Sequence, residues 1–329
     1  MTYAHPAAAR PPYPVVPGLS FRSLAEPDVD AWLELVKRIA AHEKAPWHAQ
    51  YSELVAAIFD EVNPVTENSI VGVDDAGVPR AYGRVSKNVA GEKAHVSGGV
   101  DPSWQRRGVG AAILAWQEAR TAVRFLQDGQ GHPTARDYVE EDNPALAALL
   151  SAAGYSIVRY FSEMVRPLDQ TPQPGELEGI SIVTWTPELS EAARVAHNEA
   201  FADHWGSEPR SVEQWQIQMK HEHLRLDLST LAVDDATGEI AGYQLASVDP
   251  DSSNGRKEGY TELLGVRRPW RGRGIAPALL LDAMARFSAN GLEFAALDVD
   301  TENPSGAHGL YARMGYAPVR SSMAWDKAL

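Results

Sequence analysis

Gly272-Arg273-Gly274, preceded by Arg271 and followed by Ile275-Ala276, is the stretch whose residue types point most clearly to chemistry. Glycine lets the backbone approach a ligand closely, and the arginines add charge and donors suited to a pyrophosphate. Where such a turn opens a helix, unpaired N–H groups and the positive end of the helix dipole complete an anion site. A matching stretch, Gln105-Arg106-Arg107-Gly108-Val109-Gly110, lies in the first half of the chain. One glycine-and-arginine turn is more often an ordinary loop, but two copies at matched spacing favour a ligand. Neither copy is followed by the Lys-Ser/Thr of a Walker loop, and neither has the three-glycine dinucleotide fingerprint, so kinase and dehydrogenase readings fall. His221-Glu222-His223 has two close histidines without a third ligand at a recognised spacing, and reads as a solvated helix face. No metal is expected.

The elements that would carry these residues occur twice. Gly99-Val100 and then Trp104 to Gly110 repeats as Gly265-Val266 and then Trp270 to Ala276. Upstream, Val73-Asp74-Asp75-Ala76 matches Val233-Asp234-Asp235-Ala236, each an acidic turn between short apolar runs, as in a hairpin. Downstream, Asp142-Asn143-Pro144 with Gly154-Tyr155 matches Glu302-Asn303-Pro304 with Gly315-Tyr316. Each half reads as strand, one or two helices, hairpin, strand, glycine turn, helix, strand, helix, strand, a mixed α/β (α+β) sheet domain. In the second half the expected strands are 181–185, 231–233, 240–247, 260–266 and 294–299, with helices over 190–201, 275–290 and 305–314. The expected division is a flexible tail over 1–17, domains over 18–168 and 180–329, and a linker over 169–179.

The chain has 329 residues, 44% apolar and 22% charged, a globular composition with room for two cores of about 150 residues each. No run approaches the roughly 18 apolar residues of a membrane span, and the opening lacks a signal peptide's apolar core. Cysteine is absent, which removes disulfides and a thiol nucleophile; the cytoplasm is the default compartment. A net charge of −14 disfavours nucleic acid and membrane surfaces and favours small cationic partners.

The stretch from Val266 to Ala276 resembles motif A of the GNAT acetyltransferase superfamily: Arg or Gln, two residues, Gly, one residue, then Gly or Ala. The stretch from Asn303 to Tyr316 resembles motif B, an Asn followed by a helix carrying Leu-Tyr and then Gly and an aromatic residue. Both halves take part, and the arrangement is similar to actinobacterial tandem GNAT proteins, the group that includes mycothiol synthase. The resemblance implies two tandem GNAT domains that use acetyl-CoA, or another acyl-CoA, as co-substrate to acylate a primary amine. A small-molecule amine is the expected acceptor, with a cysteinyl-sugar amine or a non-catalytic acyl-CoA-sensing role as alternatives. It further implies that Leu264, Gly265 and Val266 pair with the pantetheine arm and polarise the thioester carbonyl. Arg271, Gly272, Arg273, Gly274, Ile275 and Ala276 would hold the pyrophosphate, and Asn303 would steady the cofactor. Val100, Gln105, Arg106, Arg107, Gly108, Val109 and Gly110 are the corresponding binding set of the first half.

Acyl transfer to an amine needs a neutral nucleophile, a stabilised oxyanion and a proton for the departing thiolate. Tyr311 matches the family's acid. Leu150 stands at its place in the first half, with the same spacing to Gly154, so that copy is expected to be catalytically degenerate. Glu262 is the candidate base; strand alternation would put it on the face of Val266, four residues on. A carboxylate paired with an arginine is an equally good reading of it. Asp203, His204 and Trp205 follow the helical region that walls the acceptor site in this fold and are candidate substrate contacts, whereas His197 and Phe201 read as helix packing.

Overall fold

A computed structural model describes residues 10–45, 48–170, 175, 177–250, 255–302 and 306–329. The chain divides into two units, Met1–Arg159 with Ser322–Leu329, and Tyr160–Ser321. In chain order the elements are β1 (Ser20–Arg22), α1 (Val29–Glu43), α2 (Tyr51–Ile58), α3 (Val65–Asn68), β2 (Ser69–Val73), β3 (Pro79–Ser86), β4 (Ala94–Val100), α4 (Val109–Gln127), β5 (Thr134–Glu140), α5 (Pro144–Ala152) and β6 (Ser156–Pro167). There follow β7 (Ile180–Thr184), α6 (Ser190–Ala200), α7 (Val212–Met219), β8 (Thr230–Asp234), β9 (Ile240–Ser247), β10 (Glu258–Val266), α8 (Ile275–Ala289), β11 (Phe294–Asp300), α9 (Ala307–Arg313) and β12 (Ala317–Ala328).

The first unit's sheet runs β1, β2, β3, β4, β5 and then the end of β12, where Ser322 to Ala328 pair antiparallel with Glu140 to Thr134. The second unit's sheet runs β7, β8, β9, β10, β11 and then β6, which pairs antiparallel with β11 from Phe161↔Asp300 to Pro167↔Phe294. Each sheet is therefore closed by the strand that follows the other repeat. This differs from the expected domains 18–168 and 180–329: the second unit begins at Tyr160, and Ser322–Leu329 belongs to the first. The two terminal strands come after like helices and a like Gly-Tyr, which does not mark in sequence which sheet each joins. Part of the expected linker, 171–174 and 176, lies outside the described residues, as does 1–9 of the expected flexible tail.

The rest of that tail is anchored, contrary to expectation. Arg10 donates to Ser23 Oγ at 2.8 Å and to the Thr66 and Ser69 carbonyls at 2.8 and 3.1 Å, and Val16 is buried in the first unit's core. In the second unit, α8 lays Leu280, Ala283, Met284 and Phe287 onto β10 and β11 at i, i+3, i+4 and i+7, the apolar stripe of a surface helix. On the other side of the sheet, α6 and α7 cover Tyr243 and Leu245 with Ala193, Ala196 and Trp215. Among the described residues no helix is long and apolar enough to cross a membrane.

Candidate active site

In the second unit, β10 and β11 pair in parallel over four positions, Glu258↔Phe294 to Thr261↔Leu297, and then part. Leu264, Gly265 and Val266 lie beyond that point and remain paired with β9 on the opposite edge. The parting opens the sheet beside them on the β11 side. Gly265 is required by packing, since a Cβ there would stand 2.7 Å from the Tyr243 ring.

The strand then feeds the glycine turn. Gly272 and Gly274 have φ of 77° and 78°, a region that costs other L residues roughly 1–2 kcal/mol. Gly274 is the N-cap of α8 and provides no side-chain cap, so the first-turn N–H groups of Ile275 and Ala276 are left for a ligand. Two of the expected pyrophosphate residues have structural partners as well. Arg271 donates to the Val266 and Ala200 carbonyls at 3.0 and 2.9 Å, tying the loop to α6. Arg273 donates to the Glu178 carbonyl at 3.2 Å. The arginines thus shape the loop, whose backbone N–H groups have no side-chain cap. Asn303 lies outside the described residues.

The first unit keeps the same loop, with Gly108 at φ 79° capping α4 at Val109 and Gly110 in the first turn. Arg106 takes the place of Gly272 at φ 61°, so a non-glycine residue carries the left-handed turn. Arg107 stacks over Trp104, and the Gln105 amide reaches the Val100 carbonyl at 3.4 Å. Here β4 and β5 pair only at Ala94↔Ala135 and His95↔Arg136 before parting.

Tyr311, on α9, packs edge-on to Tyr316 with ring centroids 6.0 Å apart and is 8% exposed. Burial pushes its phenol up to about 12, so it is neutral and protonated throughout the physiological range. Its hydroxyl has no hydrogen-bond partner among the described residues. Leu150, its counterpart, is fully buried in the first unit's core.

Glu262 sits in a β-bulge: Thr261 pairs with Ala246 and Leu263 with Leu245, leaving Glu262 as the extra residue. The bulge breaks the alternation on which the same-face expectation depended. Val266 packs with Ile275 and Leu279 under α8, whereas Glu262 accepts a hydrogen bond from Ser247 Oγ on the face covered by α6 and α7. The two side chains lie on opposite faces. In the first unit, β3 and β4 pair without a break from Ala81↔Val100 to Ser86↔His95. The corresponding span of β9, Gly242 to Ser247, is matched by one residue more of β10. Glu262 is that residue, and the first unit has no equivalent.

The proposed substrate contacts follow α6 in a turn. Asp203 is bound in two-point fashion by Arg268, whose hydrogen bonds hold its carboxyl below the usual range. His204 tilts against Phe201, and Trp205 against Phe161. His197 is buried, stacks on Phe201, and shares a 2.5 Å hydrogen bond with the Tyr243 hydroxyl. Burial, with Arg210 and His204 nearby, lowers it to about 3, so it is a neutral packing residue. His221-Glu222-His223 lies in the turn after α7, not on a helix face, and the described residues contain no cluster of three or more potential metal ligands. Sequence reasoning missed Ser247 and Tyr243, ordinary strand residues whose roles arise from cross-strand contacts, and Arg210, which no motif marks.

Residues 190–316 match the model of the acetyltransferase (GNAT) family. Mycothiol acetyltransferase of Streptomyces coelicolor is 29% identical over 222 residues, 67% of this chain and 65% of that protein; the alignment thus spans just under two thirds of the relative. The Nocardia farcinica protein of the same name is 26% identical over 83% of this chain and 91% of its own length. A GCN5-related N-acetyltransferase from Sphaerobacter thermophilus superimposes with a TM-score of 0.72 at 26% identity, covering 95% of this chain and 97% of that one. A tandem GNAT protein from the clavulanic acid biosynthesis pathway shares the fold, with a TM-score of 0.68 and 20% identity over 94% of this chain and 98% of its own. Parted strands, a glycine-capped helix and a repeated order of elements accompany these matches, and in its second half the chain is similar to the acetyltransferase (GNAT) family.

Proposed function

We propose that the second unit transfers an acetyl group from acetyl-CoA to the primary amine of a small molecule in the cytoplasm, and that the first unit does not turn over. The observation that carries this reading is the co-occurrence of Tyr311 and the bulged Glu262 in one repeat and the loss of both from the other. In the reaction the amine nitrogen bonds to the thioester carbonyl carbon, an oxyanion forms and collapses, and the C–S bond breaks with its electron pair leaving on sulfur. Glu262 accepts the proton shed by the ammonium. Backbone N–H groups of residues 264–266 stabilise the oxyanion, and the loop of residues 271–276 holds the pyrophosphate. A phenol at about 12 is a weaker acid than a thiol, ordinarily near ~8.5. Tyr311 therefore acts chiefly by donating a hydrogen bond to the departing sulfur, and the second proton, which the nitrogen sheds as the neutral amide forms, ends on the thiolate to give the free thiol of CoA.

A second acceptor within the same chemistry is the amine of a cysteinyl sugar, a reading supported by the similarity to proteins named mycothiol acetyltransferase. Purified chain incubated with acetyl-CoA and a panel of amines, including such a sugar, should give one mass-shifted N-acetyl product in step with free CoA. CoA release without any acetylated amine would overturn the proposal.

A further inference from the structure

Arg210 precedes Ser211, the cap of α7, where Ser211 Oγ accepts from Gln214 N and Gln214 Oε1 accepts from Ser211 N. Its backbone is clamped to α6. The N–H donates to Asn198 Oδ1 at 2.9 Å, and the carbonyl accepts from Arg194 Nη1 at 2.9 Å and Asn198 Nδ2 at 3.1 Å. Its side chain is half-buried beside His197 and Tyr243, yet the guanidinium makes no hydrogen bond or ion pair with any described residue. The other arginines around this site behave differently: Arg194 holds Glu191, Arg267 holds Glu199 and Arg268 holds Asp203.

Partial burial pushes the Arg210 guanidinium down from its ordinary value, against the opposing fields of Tyr243 and Glu262. His197 and Tyr243 are both neutral at physiological pH and bond to each other, so neither offsets the charge. Glu262, on the same face, contributes its field, but it is too distant for an ion pair and is engaged by Ser247. A planar fork of donors on a clamped backbone, without a partner among the described residues, is suited to a carboxylate.

We propose that Arg210 binds a carboxylate of the acceptor, so that the molecule acetylated here carries an amine and a carboxylate together. The proposal rests on the amine-acetyltransferase reading of the site. The two charges of such a zwitterion match the site end for end: the amine at Glu262, the carboxylate at Arg210. It narrows the acceptor from the simple cation that the net charge favours to one with no net charge.

The test uses the full chain with acetyl-CoA and two series of probes, glycine, β-alanine and 4-aminobutyrate, each beside its carboxamide. A charge-assisted hydrogen bond contributes about 1.5–3 kcal/mol, so the best acid should exceed its amide in kcat/KM by about 10–150-fold. In Arg210→Gln that ratio should fall to near 1 whatever the absolute rate, and Arg210→Lys should restore part of it. Equal use of acids and amides by the wild-type chain, which needs no folded variant, would overturn the proposal and leave the acetyltransferase reading standing. So would an undiminished ratio in Arg210→Gln. No transfer to either series, with none to any other amine, would overturn both.

Discussion

Glu262, the proposed base, and His197, a packing residue, are ionisable groups on facing elements to which we assign opposite parts. An alkyl ammonium has a pKa near ~10, so at neutral pH attack must wait for proton loss, whereas near pH 10 free amine is abundant. Glu262→Gln should therefore depress kcat/KM far more at pH 7 than at pH 9.5, by about 10²-fold or more at the lower pH. A variant with the wild-type pH–rate profile would remove Glu262 from the mechanism. His197 has the opposite part. Its pKa is lowered from 6.5 to about 3, so the stability it contributes is fully present above pH 6.5 and drains as pH falls towards 3, because the unfolded chain binds the proton first. Between pH 7 and pH 4, chemical unfolding of the wild-type chain should lose about 3 kcal/mol more than that of His197→Phe. Parallel losses would show that His197 is not held neutral.

The bulge and the glycine turn were unequally legible. The turn is written twice, with its Trp, Arg and Gly residues at fixed spacing, and the structure has a left-handed glycine capping a helix in both copies. The ends of β9 and α8 fall within a residue of where periodicity and Asn290-Gly291 put them. The bulge is invisible because the segments linking β3 to β4 and β9 to β10 also differ in length, so the extra residue cannot be assigned to the strand from sequence. Its consequence, Glu262 facing α6 and α7 with Ser247, is a matter of register. Arg210 escaped notice for a similar reason: an arginine before a capping serine is common, and what marks this one is the absence of a partner among the described residues.

Taken whole, the chain is two copies of one unit, each completed by the other's last strand. The repeat was legible, but the exchange was not, since the two terminal strands are interchangeable in pattern and only pairing distinguishes them. Removing Ser322–Leu329 should therefore damage the first unit although it shortens the second repeat. Arg136 would lose its two-point partner Asp326, and β5 its edge. Hydrogen exchange in the truncated chain should rise across β5 and stay low across β11; the reverse pattern would contradict the exchange. The proposed division of labour between the units has an equally direct check, because Gly108 and Gly274 share nearly the same φ, 79° and 78°, and glutamate strains both alike while bringing a carboxylate to the proposed anion site. The measurement is the steady-state rate of N-acetyl product formation by wild type, Gly108→Glu, Gly274→Glu and Tyr311→Phe. Gly274→Glu should abolish turnover, Tyr311→Phe should lower kcat by about 10²-fold with the KM for acetyl-CoA little changed, and Gly108→Glu should keep most of the activity. Loss of activity in Gly108→Glu, with full rates in Gly274→Glu and Tyr311→Phe, would place the working site in the first unit and contradict the account.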